Sequence, residues 1–284
     1  MELFEKTLII DTEFVGLEKR HLYDIGIIVG SFDGKKIVPI EEHSYIISDI
    51  WYNRPMFATA YYSEKRERYV GMLRSRKAKL IKSYELFKLL TAMVENYDIK
   101  RYFAYNSSCD RGVLQYNAEL YNVVNPLETL EDVDILKLAH DIHKTNSFKN
   151  WCIAQYEAIS EKIGQASTTT EKNELIAERG KFIGDSGRLR CGAETTYRFL
   201  INNPAFIEDH TGLEDCRIEL DILNHCLMAN NGKLANYTEK PVLYADIEQI
   251  FTIKTLDSEG KTQEQIIKYT KKQSINKGSG IFFK

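Results

Sequence analysis

The chain contains no apolar run long enough to form a membrane helix, and its start, MELFEKTLIID, does not read as the basic start followed by a long apolar segment that an export signal has. Also missing are a Walker loop, a dinucleotide-binding fingerprint, a Ser-His-Asp pattern and any convincing repeat, so ATP dependence is not expected. None of the five cysteines, Cys109, Cys152, Cys191, Cys216 and Cys226, forms a C-x-x-C pair. That excludes a disulfide frame or zinc site built on such pairs and predicts reduced thiols in a cytoplasmic protein. Net charge is small: 38 Lys and Arg against 41 Asp and Glu leave −3. The chain is therefore no polybasic coat for nucleic acid, and any attraction to phosphates must come from local patches and bound cations. What is present, 284 residues at 43% hydrophobic, is enough to bury one sizeable core.

Three short acidic clusters follow one another along the chain. Asp11 and Glu13 end TLIIDTEF, an apolar, β-branched run that reads as a buried strand, so residues two apart share a face. Asp110, in AYNSSCDRGVL, precedes apolar residues at helical spacing, which puts its carboxylate near a helix start with free backbone N–H groups. Asp215, in HTGLEDCRIEL, opens another helix behind His210. Carboxylates gathered at one point raise each other's pKa unless cations neutralise them, and hard oxygen ligands suit Mg²⁺ or Mn²⁺. The clusters imply metal.

In this combination the chain resembles the DEDDh 3′-to-5′ exonucleases, a superfamily that includes the proofreading subunit of bacterial replicative polymerases and RNase T. Its first motif, D-x-E, matches Asp11 and Glu13; its second, N-x-x-x-D, matches Asn106 and Asp110; its third, H-x-x-x-x-D, matches His210 and Asp215. A sister subclass has Tyr four residues before the last Asp, where this chain has Thr211. The resemblance runs from about residue 5 to about residue 230. It implies a ribonuclease H-like α/β fold, a mixed sheet flanked by helices, with the carboxylates converging between strand and helix ends. It implies two ions, Mg²⁺ or Mn²⁺, held by Asp11, Glu13, Asp110 and Asp215, with Asp11 bridging them. One ion would activate a water and the other would steady the leaving 3′ oxygen, while His210, whose unperturbed pKa lies near neutrality, takes the proton. Substrate contacts are expected at Phe14, Leu17 and Asn106. Phe14 replaces a Thr that often follows the first-motif Glu, so a backbone contact to the substrate's 3′-OH can survive and a hydroxyl contact cannot. Gly212 stands where Ala is frequent and is expected to fit but to loosen the loop.

The remaining chain is read as three β-rich runs forming a meander, with Asp33-Gly34 as a turn, then helix SYELFKLLTAMVEN, strand RYFAYN, helix CDRGVLQYNAELY, and VDILKLAHDIH passing from strand to helix. An exonuclease domain over 1–235 is expected to carry inserts at about 48–82 and 157–192, followed by an extension over 236–284 with a few strand-like stretches and the basic residues Lys271, Lys272 and Lys277. In the first insert, Lys65, Arg66, Arg68, Arg74, Arg76, Lys77, Lys79 and Lys82 lie beside Trp51, Tyr52, Phe57, Tyr61 and Tyr62, a combination that can stack bases and track phosphates, with Arg74, Arg76 and Lys77 expected as substrate contacts. A charged helix is as readily a solvated face. The second insert reads as an exposed arm with a hairpin at Gly184-Asp185-Ser186-Gly187, from whose tip Arg188 and Arg190 can reach nucleic acid.

Three functions fit these readings: a DNA 3′-to-5′ exonuclease acting on single-stranded 3′ ends, with a polymerase or other replication protein as a candidate partner; an RNase T-like exoribonuclease; and a non-catalytic nucleic-acid or polymerase-interaction module. Retention of His210 with the full carboxylate set argues against the last. No motif reports contacts to a 2′-hydroxyl, so the first two stay open.

Overall fold

The computed structural model describes residues 6–16, 18–60, 66–185 and 187–234, and the backbone of 249–256 and 262–269. Leu17, Tyr61, Tyr62, Lys65, Ser186, Lys271, Lys272 and Lys277 lie outside the described residues. Among the described residues no helix is long and apolar enough to cross a membrane.

The expected meander is present as β1 (Lys6–Val15), β2 (His21–Phe32) and β3 (Ile37–Ile47), paired antiparallel. Asp33 fixes the β2–β3 turn, its Oδ1 accepting from the N–H groups of Lys35 and Lys36 at 2.9 Å. Short helices α1 (Ser48–Trp51) and α2 (Arg54–Phe57) and the longer α3 (Arg66–Arg74) then lead to β4 (Lys79–Ile81), which pairs parallel with β3. Next come α4 (Ser83–Asn96), β5 (Arg101–Ala104), α5 (Ser108–Leu120), a 3₁₀ turn at Pro126–Thr129, β6 (Glu131–Asp134) and α6 (Ile135–His143). β5 runs parallel to β1 and to β6, giving a six-stranded mixed sheet in the order β4-β3-β2-β1-β5-β6. The expected α/β fold, a mixed sheet flanked by helices, is what the chain forms.

The sheet belongs to one of two compact units, made of residues up to Ala139 and of those from Gly192 to the end of the described run at Leu234. One of its faces carries Leu8, Ile10, Ile25, Ile27 and Val29, packed with Leu86, Phe87 and Leu90 of α4 and Val113 and Leu114 of α5. Full burial of each such side chain contributes about 1.5–3 kcal/mol. Alternation turns Ile9, Asp11, Glu13, Asp24 and Gly26 to the other face. There, after α9 (Ala193–Leu200), lies α10 (Gly212–Ala229), which contacts β1, β2 and β3. Asn224 registers it: its side-chain amide accepts from the N–H of Ile37 at 2.7 Å and donates to the Ile37 carbonyl at 2.9 Å.

The start of α10 approaches β2 backbone to backbone. A Cβ on Gly26 would fall 2.1 Å from the Gly212 carbonyl carbon, and one on Gly212 would fall 2.3 Å from the Gly26 nitrogen. Gly212 therefore tightens this crossing rather than loosening the loop, the outcome expected from glycine's flexibility alone. Gly26→Ala is expected to lower stability by about 3 kcal/mol or more through overpacking, a loss to be read from urea unfolding midpoints.

The first insert departs from its expected role as a stacking platform. Trp51, Phe57 and Tyr69 are buried, and with Tyr23 they form a cluster of edge-to-face rings 5.2–6.3 Å apart. Burial of apolar ring area outweighed the neighbouring charge. Tyr52 remains exposed.

The second compact unit takes in His140–Cys191 and the described strands of the C-terminal extension. It holds two helices, α7 (Asn146–Gln165) and α8 (Thr169–Arg179), and α8 buries none of its side chains, as an exposed arm would. A reciprocal cap starts α8: Thr168 Oγ1 accepts from the Glu171 N–H at 3.1 Å, and Glu171 Oε2 accepts from the Ser167 N–H at 2.9 Å. The hairpin signal survives as a single bridge between Ile183 and Leu189. Arg190 does not extend from its tip; its Nε donates to the Gly180 carbonyl at 3.2 Å. In the C-terminal extension, β7 (Gln249–Leu256) and β8 (Thr262–Tyr269) pair antiparallel.

Candidate active site

β1 delivers Asp11 and Glu13 to one face at its C-terminal end, opposite Gly26 and Asp24 of β2. Because β5 runs parallel to β1, it ends on the same side of the sheet, and the turn through Asn106 leads directly into α5. Asn106 sits in the left-handed region, φ 60°, and its N–H donates to Asp134 Oδ1 at 2.9 Å, tying the turn to the end of β6. Asp110 is then held from β1: the Thr12 N–H and hydroxyl both donate to its Oδ1, at 2.9 and 2.7 Å. From the opposite face, α10 brings Asp215 one turn from its N-terminus.

The structure thus gathers the carboxylates from all of these segments. Ligand atoms of Glu13, His210 and Asp215 lie within 4.8 Å of one another. The Asp11 carboxyl is held well above the usual carboxylate range, first by burial and then by the charges of Asp215, Glu219, Asp110 and Glu13. Burial likewise pushes Asp110 up to about 7, against the opposing pull of the Thr12 hydrogen bonds. His210 faces a second acidic group as well, with its Nδ1 3.5 Å from Glu208 Oε2 and Glu194 close by.

Sequence reasoning missed three participants. Glu219, also on α10, is buried and held well above its ordinary pKa by desolvation and by Asp110 and Asp215. Its Oε2 has no hydrogen-bond partner among the described residues. The signal was available: Glu219 follows Asp215 by four positions, hence on the same helical face, between apolar Ile218 and Leu220. Asp24 is fully buried, and its Oδ2 accepts from the Gly212 N–H at 2.9 Å and the Tyr69 hydroxyl at 3.0 Å. An acid inside an apolar strand, opposite Glu13, was its signal. Tyr23 reaches Glu13 Oε2 with its hydroxyl at 3.4 Å.

Desolvation raises Asp24 to about 6. With the folded pKa above the unfolded one, its contribution to stability is complete below about pH 4 and is lost as pH rises through about 6. Asp24→Asn keeps an acceptor and removes the charge. The stability gap between the variant and wild type is therefore expected to shift in the variant's favour by about 3 kcal/mol between pH 4 and pH 7.5, measured by chemical unfolding at each pH.

The proposed substrate-contact residues are dispersed. Phe14 is half-buried beside the core, with the Arg20 guanidinium 5.7 Å from its ring centre. Asn106 is exposed. Arg74, Arg76 and Lys77 are exposed at the end of α3 and just beyond it, whereas Arg66 lies over the Trp51 ring at 4.5 Å and Arg68 pairs with Asp209.

No protein-family model matches this chain, and no curated protein matches it. Among solved structures it is similar to a 3′-exonuclease studied for its 3′-end specific recognition of a histone mRNA stem-loop, with 10% sequence identity and a TM-score of 0.47. The match covers 81% of this chain and 65% of the other, so this chain spans less than two thirds of that protein's length.

Proposed function

We propose that the chain is a metal-dependent 3′-to-5′ exonuclease that hydrolyses terminal phosphodiesters of single-stranded nucleic acid, DNA being the first substrate to test. One observation carries this reading: carboxylates drawn from three distant segments lie close enough that burial and mutual repulsion hold Asp11 and Asp110 above the usual carboxylate range, and His210 lies beside Glu13 and Asp215.

The donor set fits Mg²⁺ or Mn²⁺: hard carboxylate oxygens from Asp11, Glu13, Asp110 and Asp215, and a further buried acceptor in Glu219 Oε2. A pair of such ions, when bound, would supply a hydroxide nucleophile at neutral pH and charge stabilisation for the leaving oxygen. The chain's own residues do the rest. Asp11, which feels the charges of Asp215, Glu219, Asp110 and Glu13 together, would hold such ions with them. Thr12 aims Asp110 with two hydrogen bonds. His210, with a ring nitrogen close to both Glu13 and Asp215, takes the proton from the attacking water. Phe14 and Asn106 border the strand end and the α5 turn, where a terminal nucleotide would lie. Leu17 is assigned to the same border from the sequence alone.

The test is release of mononucleotides from 3′-labelled single-stranded DNA and RNA, run side by side with and without chelator. Metal-dependent release from either supports the reading, and the faster substrate assigns the class. Activity on neither favours a non-catalytic interaction module. Arg74, Arg76 and Lys77, exposed at and just beyond the end of α3, are proposed to track the phosphates of a longer strand. Changing all three to Glu is expected to raise KM and to flatten its salt dependence by about one unit of log–log slope per lost phosphate contact, at nearly constant kcat.

A further inference from the structure

The turn that carries His210 is held by α3, and we propose that Tyr69 and Asp24 are positioning residues for the general base, which makes the first insert part of the catalytic apparatus. The inference rests on the exonuclease reading and deepens it.

His210 adopts φ 49°, in the left-handed region that a residue with a Cβ enters at a cost of about 1–3 kcal/mol. Such a conformation persists only where the surroundings determine it. Here they do so on both sides of the residue. The Tyr69 hydroxyl lies 3.0 Å from Asp24 Oδ2 and 3.4 Å from the His210 carbonyl oxygen. The same Asp24 oxygen accepts from the Gly212 N–H at 2.9 Å. One buried carboxylate thus joins α3 to the first residue of α10, and the hydroxyl that donates to that carboxylate also reaches the carbonyl of the strained residue, its one proton shared between the two acceptors. At the surface, the preceding residue of α3 repeats the connection, since Arg68 pairs with Asp209. Adjacent residues 68 and 69 therefore hold 209 and 210, while the close approach of Gly26 and Gly212 leaves the far end of the turn no room to shift.

Stability alone does not account for this arrangement. Asp24 and Tyr69 are both 0% exposed, and the other Asp24 oxygen, Oδ1, has no hydrogen-bond partner among the described residues. A buried carboxylate left half-satisfied costs more than an apolar side chain of similar size would. It does give a fixed acceptor at the one place where the backbone must turn back to present His210 to Glu13 and Asp215. A general base must lie within hydrogen-bond reach of its proton, and misplacement by 1 Å can cost about 100-fold in rate.

The experiment compares wild type, Tyr69→Phe, Asp24→Ala and Asp24→Asn in nucleotide release at saturating Mg²⁺, alongside hydrogen exchange of the 205–216 segment. Tyr69→Phe is expected to lower kcat about tenfold with KM unchanged, and Asp24→Ala about 100-fold, with most of that loss restored in Asp24→Asn because the amide oxygen still accepts from Gly212. Exchange of the 205–216 segment should quicken in Tyr69→Phe and Asp24→Ala while that of the sheet core stays as in wild type. An active wild type whose kcat and segmental exchange are unaltered by Tyr69→Phe overturns the positioning role and leaves the exonuclease reading intact. A fall in kcat matched by faster exchange across the whole chain overturns it too, because the role would then be structural only. A wild type inert on both DNA and RNA overturns the exonuclease reading, and the positioning role of Tyr69 falls with it.

Discussion

Asp11→Asn is expected to reduce metal-dependent nucleotide release on the order of 10³-fold or more while leaving the metal-free chain at least as stable as wild type. The two halves of this expectation have one cause. Asp11 lies where the fields of Asp215, Glu219, Asp110 and Glu13 add, and burial removes the water that would screen them. In the metal-free protein its charge is unfavourable, so neutralising it relieves repulsion; a rise of 1 kcal/mol would appear as about 2–4 °C in the thermal midpoint of a domain this large. With divalent ions present the sign is expected to reverse, because the variant lacks one of the carboxylates proposed to hold them. Wild type should therefore gain more in midpoint from added Mg²⁺ than Asp11→Asn does. A residue with only a packing role would lose stability in both conditions.

His210→Ala is expected to lower kcat by about 10²–10⁴-fold, the range for loss of a general base, with little change in substrate KM or in Mn²⁺ affinity. Its ring approaches Glu13 and Asp215 on one side and Glu208 on the other, so its removal leaves the carboxylate cluster in place. The contrast with Asp11→Asn, which should weaken Mn²⁺ binding itself, separates proton transfer from ion holding. Isothermal titration with Mn²⁺ on both variants checks this alongside single-turnover kinetics. Equal loss of Mn²⁺ affinity in the two would count against the assigned division of labour.

What the sequence disclosed and what it hid follow from whether local or distant forces decide each feature. The β1–β3 meander and helices α4 and α5 were legible because period-2 and period-3.6 apolar patterns coincide there with the faces that the core covers. The carboxylates of β1, α5 and α10 were legible because acids interrupt those patterns at strand and helix ends. The α7–α8 pair was obscured by its polar composition; only the Thr168–Glu171 cap betrayed α8. Trp51 and Phe57 looked like a surface for bases because the burial that claims them depends on Tyr23 of β2 and Tyr69 of α3, distant in sequence. Asp24 and Glu219 escaped for the same reason. A lone acid in an apolar run reads as a flaw until its partners are known, and theirs, the Gly212 N–H and the acids of other elements, come together only on folding.

The central claim is that this pocket holds a pair of divalent ions between the carboxylates of β1, α5 and α10. Anomalous diffraction from crystals of the intact chain soaked in Mn²⁺ tests it most directly. The account predicts two difference peaks among Asp11, Glu13, Asp110 and Asp215, both absent from Asp11→Asn crystals treated alike. No peak there, or Mn²⁺ found only beside Glu194 and Glu208, would contradict it.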